Sequence, residues 1–600
     1  MQALILAAGM GRRLGPHTKD NTKCMLKVHD KTLIERTLDN LEVAGITKLI
    51  LVVGYKRENL QKFLGSRYKN VAIEYVVNPI YDTTNNIYSL YLAKEYLLQD
   101  DTILLESDLI FDRSILEMVL QNSNRNIAVV DKYQSWMDGT VVKIDSENNI
   151  ENFIPRKFFD FREVDRYYKT VNIYKFSKEF SKNIYVPFLE AYSSALGNNE
   201  YYEQVLRVIL TLESVDLKAL PLTGQRWYEI DDVQDLDNAE TIFATNEEMK
   251  LHNMQMRYGG YWRYPSLKDF CYLVNPYFPT KKMESEFQAY FHSLITEYPS
   301  GLNVQNLLAG KMFDVDNRHI VVGNGAAELI RIIPRVIDGS FGIMTPTFNE
   351  YVNVVDSSRV VTMQSGENFQ YGTEQILSLS EQCDTVILIN PDNPSGNFIK
   401  KDELISLLEA LKTENKRLIL DESFVDFSTE GVENSLIRSD ILEKYPELIV
   451  MKSISKSYGV PGVRLGVLAS SDVALVEKFK KAVSIWNINS FGEFFLQIIG
   501  KYLKEYRTAC TQIASERDRF FSQLQTIPFL EPLPSQANYF TCKVTGELSA
   551  TELTRRLLDK ESLFIKDLTG KLGVDGDNYI RIAVRDFDDN EFLIEKLKTI

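Results

Sequence analysis

At 600 residues the chain is too long for one hydrophobic core, and about 150 residues per domain gives roughly four structural units. Hydrophobic residues make up 44% and charged residues 25%, as in soluble globular proteins. The formal charge of −15 argues against non-specific nucleic-acid binding, which needs clustered Lys and Arg, but leaves room for local basic pockets that take small phosphorylated ligands. Cys24, Cys271, Cys383, Cys510 and Cys542 lie far apart with no CxxC pair, which suits a reducing compartment and suggests neither zinc nor disulfides. The opening apolar run is too short for a signal peptide and no run reaches a membrane span, so the expectation is a cytoplasmic protein without membrane partners.

In chain order, strands are expected at Ala3–Ala7, Leu49–Val53, Ile73–Val77 and Thr102–Leu105, with a helix at Leu33–Val43. Strands separated by helices imply parallel pairing and an α/β sheet. Asp235–Lys250 reads as a terminal helix and Leu251–Arg257 as the junction, giving domains 1–250 and 251–600. Beyond it, strands are expected at His319–Val322, Phe341–Met344, Thr385–Asn390, Arg417–Leu420 and Leu448–Met451. No internal repeat relates the two parts.

The first strand runs into Leu6-Ala7-Ala8-Gly9-Met10-Gly11-Arg12-Arg13-Leu14, where small residues let the backbone approach phosphates and Arg12 and Arg13 add positive charge. Lys23 follows, ahead of Met25-Leu26. A glycine-rich turn alone signifies little more than a tight strand-to-helix connection. Loop, arginines and lysine together resemble sugar-nucleotide pyrophosphorylase-like nucleotidyltransferases. More narrowly, they resemble the cytidylyltransferases acting on phosphocholine and similar small amines, except that Thr22 stands where that pattern has Pro. The resemblance implies a Rossmann-like domain that uses CTP, with Leu6, Ala7, Ala8, Gly9, Gly11 and Arg12 on the nucleotide and Lys23 and Arg13 as catalytic cations. It places Asn85 and Asn86 near base and acceptor, although an Asn-rich turn also caps helices. Magnesium takes hard oxygen ligands and substrate phosphates, and the resemblance makes Asp108 and Asp231 its ligands with Glu229 nearby. Asp232 and Asp235 are expected to be solvated surface acids.

The second part carries a more complete constellation. Ser453-Ile454-Ser455-Lys456 follows a strand, and Pro461-Gly462-Val463-Arg464 comes just after it. A lysine with a lowered pKa can attach covalently to a carbonyl cofactor, while serines and Arg464 hold a phosphate. Asp421 ends a strand, Asn393 lies in an Asn-Pro-rich turn, Gly325-Ala326-Ala327 can open a helix, and Phe348 can stack on a ring. These segments resemble the fold-type-I pyridoxal-phosphate (PLP) enzymes, in the branch of histidinol-phosphate aminotransferase and threonine-phosphate decarboxylase, from about Gly259 onward. The resemblance implies a large and a small α/β domain. Lys456 would hold the cofactor and Asp421 the pyridine nitrogen. Asn393, Ala326, Ala327, Phe348, Ser453, Ser455 and Arg464 would complete the cofactor site. Arg581, Arg585 and Asn538 are the expected substrate contacts, with a surface salt bridge as the other reading of Arg585. Tyr298 would reach the cofactor of a second subunit, implying a homodimer.

Phe424 stands where the aminotransferase pattern has Tyr, which leans toward the decarboxylase branch. The whole chain resembles fusions of a 2-aminoethylphosphonate cytidylyltransferase with a 2-aminoethylphosphonate transaminase. That implies an amino donor and a small phosphonate or phosphate amine as substrates. The alternatives are a phosphoserine-decarboxylase-like reaction feeding a cytidylyltransferase, and a PLP-fold pseudoenzyme regulating the first domain.

Overall fold

The computed structural model describes residues 1–212 and 215–600. Their internal contacts divide them into two units, Met1–Arg263 and Tyr264–Ile600.

The first unit is built on a ten-stranded sheet. β1 (Gln2–Ala7) is buried throughout, as its unbroken apolar run requires. The next helix, α1 (Leu33–Val43), starts at a capping box in which Thr32 accepts from the Glu35 N–H and Glu35 reaches back to Thr32. It leads to β2 (Lys48–Val53), parallel to β1, and β3 (Val71–Val77) is parallel to β2 in turn. After α2 (Asn86–Leu92) comes β4 (Thr102–Glu106), parallel to β1 on its other side. The loops leaving β1 and β4 therefore meet at one sheet edge, the edge where open α/β sheets bind ligands.

Parallel pairing does not continue across the sheet. After the short β5 (Leu109–Phe111), β6 (Tyr168–Phe176) runs antiparallel to β4, because a hairpin of Val141–Ile144 and Ile150–Ile154 precedes it in place of a crossover helix. Past α3 (Glu203–Ile209), β7 (Trp227–Glu229) pairs antiparallel with β5, and the Ile230 N–H donates to the Asp108 carbonyl at 3.0 Å. The helix expected over Asp235–Lys250 is two helices, α4 (Val233–Ile242) and α5 (Glu247–Met256), because Asn246 caps the second by accepting from the Met249 N–H. A boundary at residue 250 falls inside α5, and the division comes later, after Arg263.

The second unit holds a seven-stranded sheet. In chain order it comprises β8 (Ile320–Asn324), with α6 (Gly325–Val336) directly behind it, β9 (Phe341–Thr345), β10 (Val360–Gln364), β11 (Thr385–Ile389), β12 (Arg417–Asp421), β13 (Leu448–Ser453) and β14 (Leu465–Ala469). The spatial order is β8-β14-β13-β12-β11-β9-β10, and β14 alone is antiparallel to its neighbours. A separate four-stranded antiparallel sheet contains β15 (Tyr539–Val544) and β16 (Tyr579–Ala583), the nucleus of the smaller domain. Among the described residues no helix is long and apolar enough to cross a membrane.

Candidate active sites

In the first unit, Leu6, Ala7, Ala8, Gly9, Gly11, Arg12, Asn85 and Asn86 all line one cavity of about 350 Å³, together with Arg13, Lys23, Asp108 and Asp231. Gly11 sits at φ +60° where the chain turns off β1, and the Thr18 hydroxyl fastens the loop by donating to the Gly11 carbonyl at 2.9 Å. Arg12 and Arg13 are both exposed, and Arg13 pairs with Asp231 at 2.9 Å. Lys23 Nζ lies between two carboxylates, 2.6 Å from Asp108 Oδ2 and 2.7 Å from Asp231 Oδ1. Burial acts against its charge, but Asp108 and Asp231 outweigh burial and hold the ammonium above its ordinary range.

A second cavity, of about 170 Å³, shares Arg13, Asn86, Glu106, Asp108 and Asp231 with the first. Its remaining wall includes Lys169, Asn172, Tyr201, Glu203 and Glu229, residues supplied by β6, α3, β7 and the approach to α3. Lys169 was not foreseen from the sequence, yet it is buried beside Glu229, 3.3 Å away. Glu229 also accepts from Asn172, and it lines only this second cavity. Burial lifts its carboxyl to about 7, with Lys169 pulling the other way. It shares that cavity with Asp108 and Asp231, whose charges add to the upward push on its carboxyl, so the three expected acidic residues are brought together.

Those two aspartates fit a divalent ion held partly by substrate phosphates, since Asp108 Oδ1 is buried without a hydrogen-bond partner. Among the described residues no group of three or more His, Cys, Asp or Glu forms a complete protein-only metal site. Asp232 and Asp235 are not idle surface acids. Asp232 caps α4 by accepting from the Gln234 and Asp235 N–H groups, and Asp235 accepts from those of Asp231 and Asp232.

In the second unit, Lys456 stands in the short helix Ile454–Ser457 directly after β13, with its Nζ 4.6 Å from the Phe424 ring centre and 5.2 Å from that of Phe348. Burial, with help from Arg581 and Arg464 and against Asp421, lowers its ammonium to about 8. Asp421 accepts from the Tyr351 hydroxyl at 2.9 Å and from both the hydroxyl and N–H of Ser423. At the start of α6, Gly325 has φ +71°, and a Cβ there would lie 2.7 Å from the Arg464 guanidinium. Glycine thus brings Ala326, Ala327 and Arg464 together at a helix start, where N–H groups and a cation can hold a phosphate. Ser455 braces that arrangement by exchanging hydrogen bonds with the Leu465 backbone, while the Ser453 N–H is held by Ser423.

Asn393 Oδ1 accepts from Arg581 Nη1 at 2.6 Å, and Arg581 Nη2 donates to the Cys271 carbonyl. Arg581 Nε and both amide atoms of the fully buried Asn538 have no partner among the described residues, so donors and an acceptor remain for a bound molecule. Arg585 is committed elsewhere: its Nε pairs with Asp589 at 2.6 Å and its Nη1 reaches the Asp269 carbonyl. Lys571 is a cation the sequence did not single out. It donates to Asn349, next to Phe348, and burial together with Arg581 lowers it to about 8. Tyr298 is 79% exposed and packs against the Trp486 ring at a tilt of 31°, with ring centres 4.7 Å apart. The lysine, the supported aspartate, the phosphate cradle and the flanking rings fit a pyridine-ring cofactor carrying an aldehyde and a phosphate.

Comparison with known proteins matches residues 283–597 to the family described as aminotransferase class I and II, and residues 2–201 to nucleotidyl transferase. The CMP-5'-(3-aminopropyl)phosphonate synthase of Streptomyces rubellomurinus is 29% identical over 608 aligned positions, covering 100% of this chain and 95% of that protein. The L-serine phosphate decarboxylase of Sulfurospirillum multivorans is 30% identical, across 56% of this chain and 90% of its own length. Among solved structures, the histidinol-phosphate aminotransferase from Clostridium acetobutylicum is 28% identical at a TM-score of 0.51, covering 56% of this chain and 98% of its own. A decarboxylase from Sulfurospirillum multivorans gives the same TM-score, 0.51, at 30% identity over 56% of this chain and 90% of that one. With more than half its length matched, this chain belongs to the aminotransferase class I and II family and carries a nucleotidyl transferase domain ahead of that enzyme fold.

Proposed function

We propose that the first unit transfers CMP from CTP to a small amine bearing a phosphonate or phosphate, releasing pyrophosphate, and that the second unit makes this amine. The observation that carries the reading is the shared wall between the two cavities, where Arg13, Asp108 and Asp231 face both. A nucleoside triphosphate in the larger cavity and an acceptor in the smaller would meet there. Glu203 and Glu229 on the wall of the smaller cavity suit an ammonium end. An acceptor oxygen attacks the α-phosphorus and pyrophosphate leaves. Both reactants are anionic, so Lys23 and Arg13 serve by offsetting charge, with Mg²⁺ on Asp108 and Asp231. Full-length likeness to an aminopropylphosphonate-activating synthase supports an aminoalkylphosphonate as acceptor.

For the second unit we propose amino transfer to phosphonoacetaldehyde, giving 2-aminoethylphosphonate. Bound PLP would supply an electron-withdrawing ring that accepts charge from a breaking bond at the substrate's α-carbon. Lys456 holds the cofactor and moves the proton at that carbon. Near neutral pH, a lysine lowered to about 8 keeps a usable fraction of free amine. Asp421 keeps the pyridine nitrogen protonated, Asn393 orients the ring, Phe348 covers it, and Arg464 with the start of α6 holds the phosphate. Arg581 receives the substrate's anionic end. Tyr298 exposed beside Trp486 suits a contact across a homodimer.

Phe424 against Lys456 and the serine-phosphate decarboxylase relative favour a second reading, loss of carbon dioxide from phosphoserine to give phosphoethanolamine. The test is direct. Pyrophosphate release is assayed over a panel of four nucleotides and several acceptors, alongside pyruvate formation from alanine with phosphonoacetaldehyde and carbon dioxide release from phosphoserine. Carbon dioxide without pyruvate selects the second reading. No pyrophosphate with any pair overturns the first.

A further inference from the structure

Two half-buried cations of the second unit, Arg581 and Lys571, end on neutral oxygens. Arg581 meets Asn393 Oδ1 and the Cys271 carbonyl, Lys571 donates to Asn349 Oδ1 at 2.7 Å, and among the described residues neither forms an ion pair. Arg581 is the charge that acts most strongly on Lys571. The carboxylates near enough to act on them are bonded elsewhere. Asp269 accepts from the Cys271 and Tyr272 N–H groups, and Asp392, lifted by burial to about 7, accepts from the Ser395 hydroxyl at 2.6 Å. Lys566 adds a third positive charge, directly across the strand pair from Arg581. Positive charge withdrawn from water without a partner is costly, and an anionic ligand supplies the missing charge. The loop of Lys571 is seated against the large domain: Gly573, at φ +79°, comes so close that a Cβ would lie 2.7 Å from Thr345 Cβ, and its carbonyl accepts from Gln364 at 2.8 Å. Both neighbours of the lysine adjoin the cofactor site, since Asn349 follows Phe348 and Asp392 precedes Asn393.

From this arrangement we infer that Lys571 is the specificity-determining residue for a doubly charged phosphonate or phosphate end, which it holds jointly with Arg581, one charge each. The inference rests on the reading that the second unit handles phosphonylated or phosphorylated amines with PLP, and it names what tells them from ordinary amino acids. A carboxylate brings one negative charge in a plane and is met by Arg581 alone. A phosphonate brings up to two charges on a tetrahedron of oxygens, so a second cation approaching from another side gains a partner. An ammonium suits that place, being a compact charge whose three N–H bonds are not confined to one plane. Asn349 occupies one of them and leaves the others for the ligand. A mere tie between the loop and Asn349 would need a donor but no charge, and substitution can read that difference.

The experiment uses the full-length protein loaded with PLP and follows the cofactor's absorbance as amines are added, a signal from the second unit alone. Two matched pairs are titrated, 2-aminoethylphosphonate against β-alanine and phosphoserine against glutamate, each setting a phosphorus dianion against a carboxylate of similar length. In the pair that perturbs the cofactor, the wild type is expected to half-saturate at about 30-fold lower concentration of the phosphorus compound. Lys571→Gln keeps a donor for Asn349 and removes the charge. It should weaken the phosphorus compound about 30-fold and the carboxylate less than about threefold. Lys571→Arg restores the charge and should hold the phosphorus compound within about fivefold of wild type, which guards against a folding defect. Equal loss for both members of the pair overturns the inference, as does a Lys571→Gln variant that behaves like wild type or a wild type without preference. A cofactor absorbance that no amine alters overturns the PLP reading of the second unit, and the inference with it.

Discussion

Asp421 receives donors from the Tyr351 hydroxyl and from Ser423, whereas its neighbour Glu422, 1% exposed, accepts from the Ser435 hydroxyl and the Leu436 N–H. Burial lifts the Glu422 carboxyl to about 7, with Lys452 pulling it back. An unfolded chain would release that proton near 4.5, so the folded protein binds more protons between those values and loses stability as pH rises from about 4.5 to 7. Glu422→Gln removes this titration. Its unfolding midpoint in urea should therefore improve relative to wild type as pH goes from 5 to 8, and a constant difference would refute the assignment. The types of residue at both sites were legible in the sequence, because phosphates, a metal ion and a pyridine ring each call for a particular side chain. Lys169 was not, because β6 mixes two lysines, a threonine and an asparagine with its apolar residues, and a lysine is seldom buried unless paired. Glu203 gave no local sign. It opens a helix, where an acidic residue is ordinarily a surface feature.

Among the elements, α1 was readable to its ends from its apolar periodicity, and the capping box of Thr32 and Glu35 fixes its start. The box at Asp232 and Asp235 uses an acid at both positions and read as solvated surface instead. It does two things at once, starting α4 and fixing the backbone N–H of Asp231, whose carboxylate faces both cavities. Asp232→Ala is expected to cost about 1 kcal/mol in chemical denaturation. The antiparallel course of β6 and β14 was not legible, since a buried strand has the same apolar pattern whichever way it runs.

For the whole molecule, the two-unit plan and the α/β class were legible, because the apolar pattern and both motif sets recur independently. The boundary was not, since α5 carries a helical pattern across the junction expected at residue 250, while the division lies after Arg263. Each unit has hydrophobic clusters of its own, so the two chemistries should be separable by substitution. Lys456→Ala is expected to abolish the absorbance of bound PLP and all amino-group chemistry while leaving pyrophosphate release within about twofold of wild type. Lys23→Ala should do the converse, lowering pyrophosphate release by about 10²–10³-fold. Loss of both activities in either variant would mean that the units depend on each other.

The position of Lys23 has a consequence for how the first unit is maintained. Two carboxylates brought face to face ordinarily repel, and many phosphate-handling sites would be expected to rely on a bound ion to keep them together. Here the chain supplies its own counter-ion, seated 2.6 and 2.7 Å from Asp108 and Asp231. The site should therefore assemble with the fold. Treating the protein with a chelator is expected to stop nucleotidyl transfer yet leave its melting temperature unchanged, whereas Lys23→Met should melt lower in the same buffer.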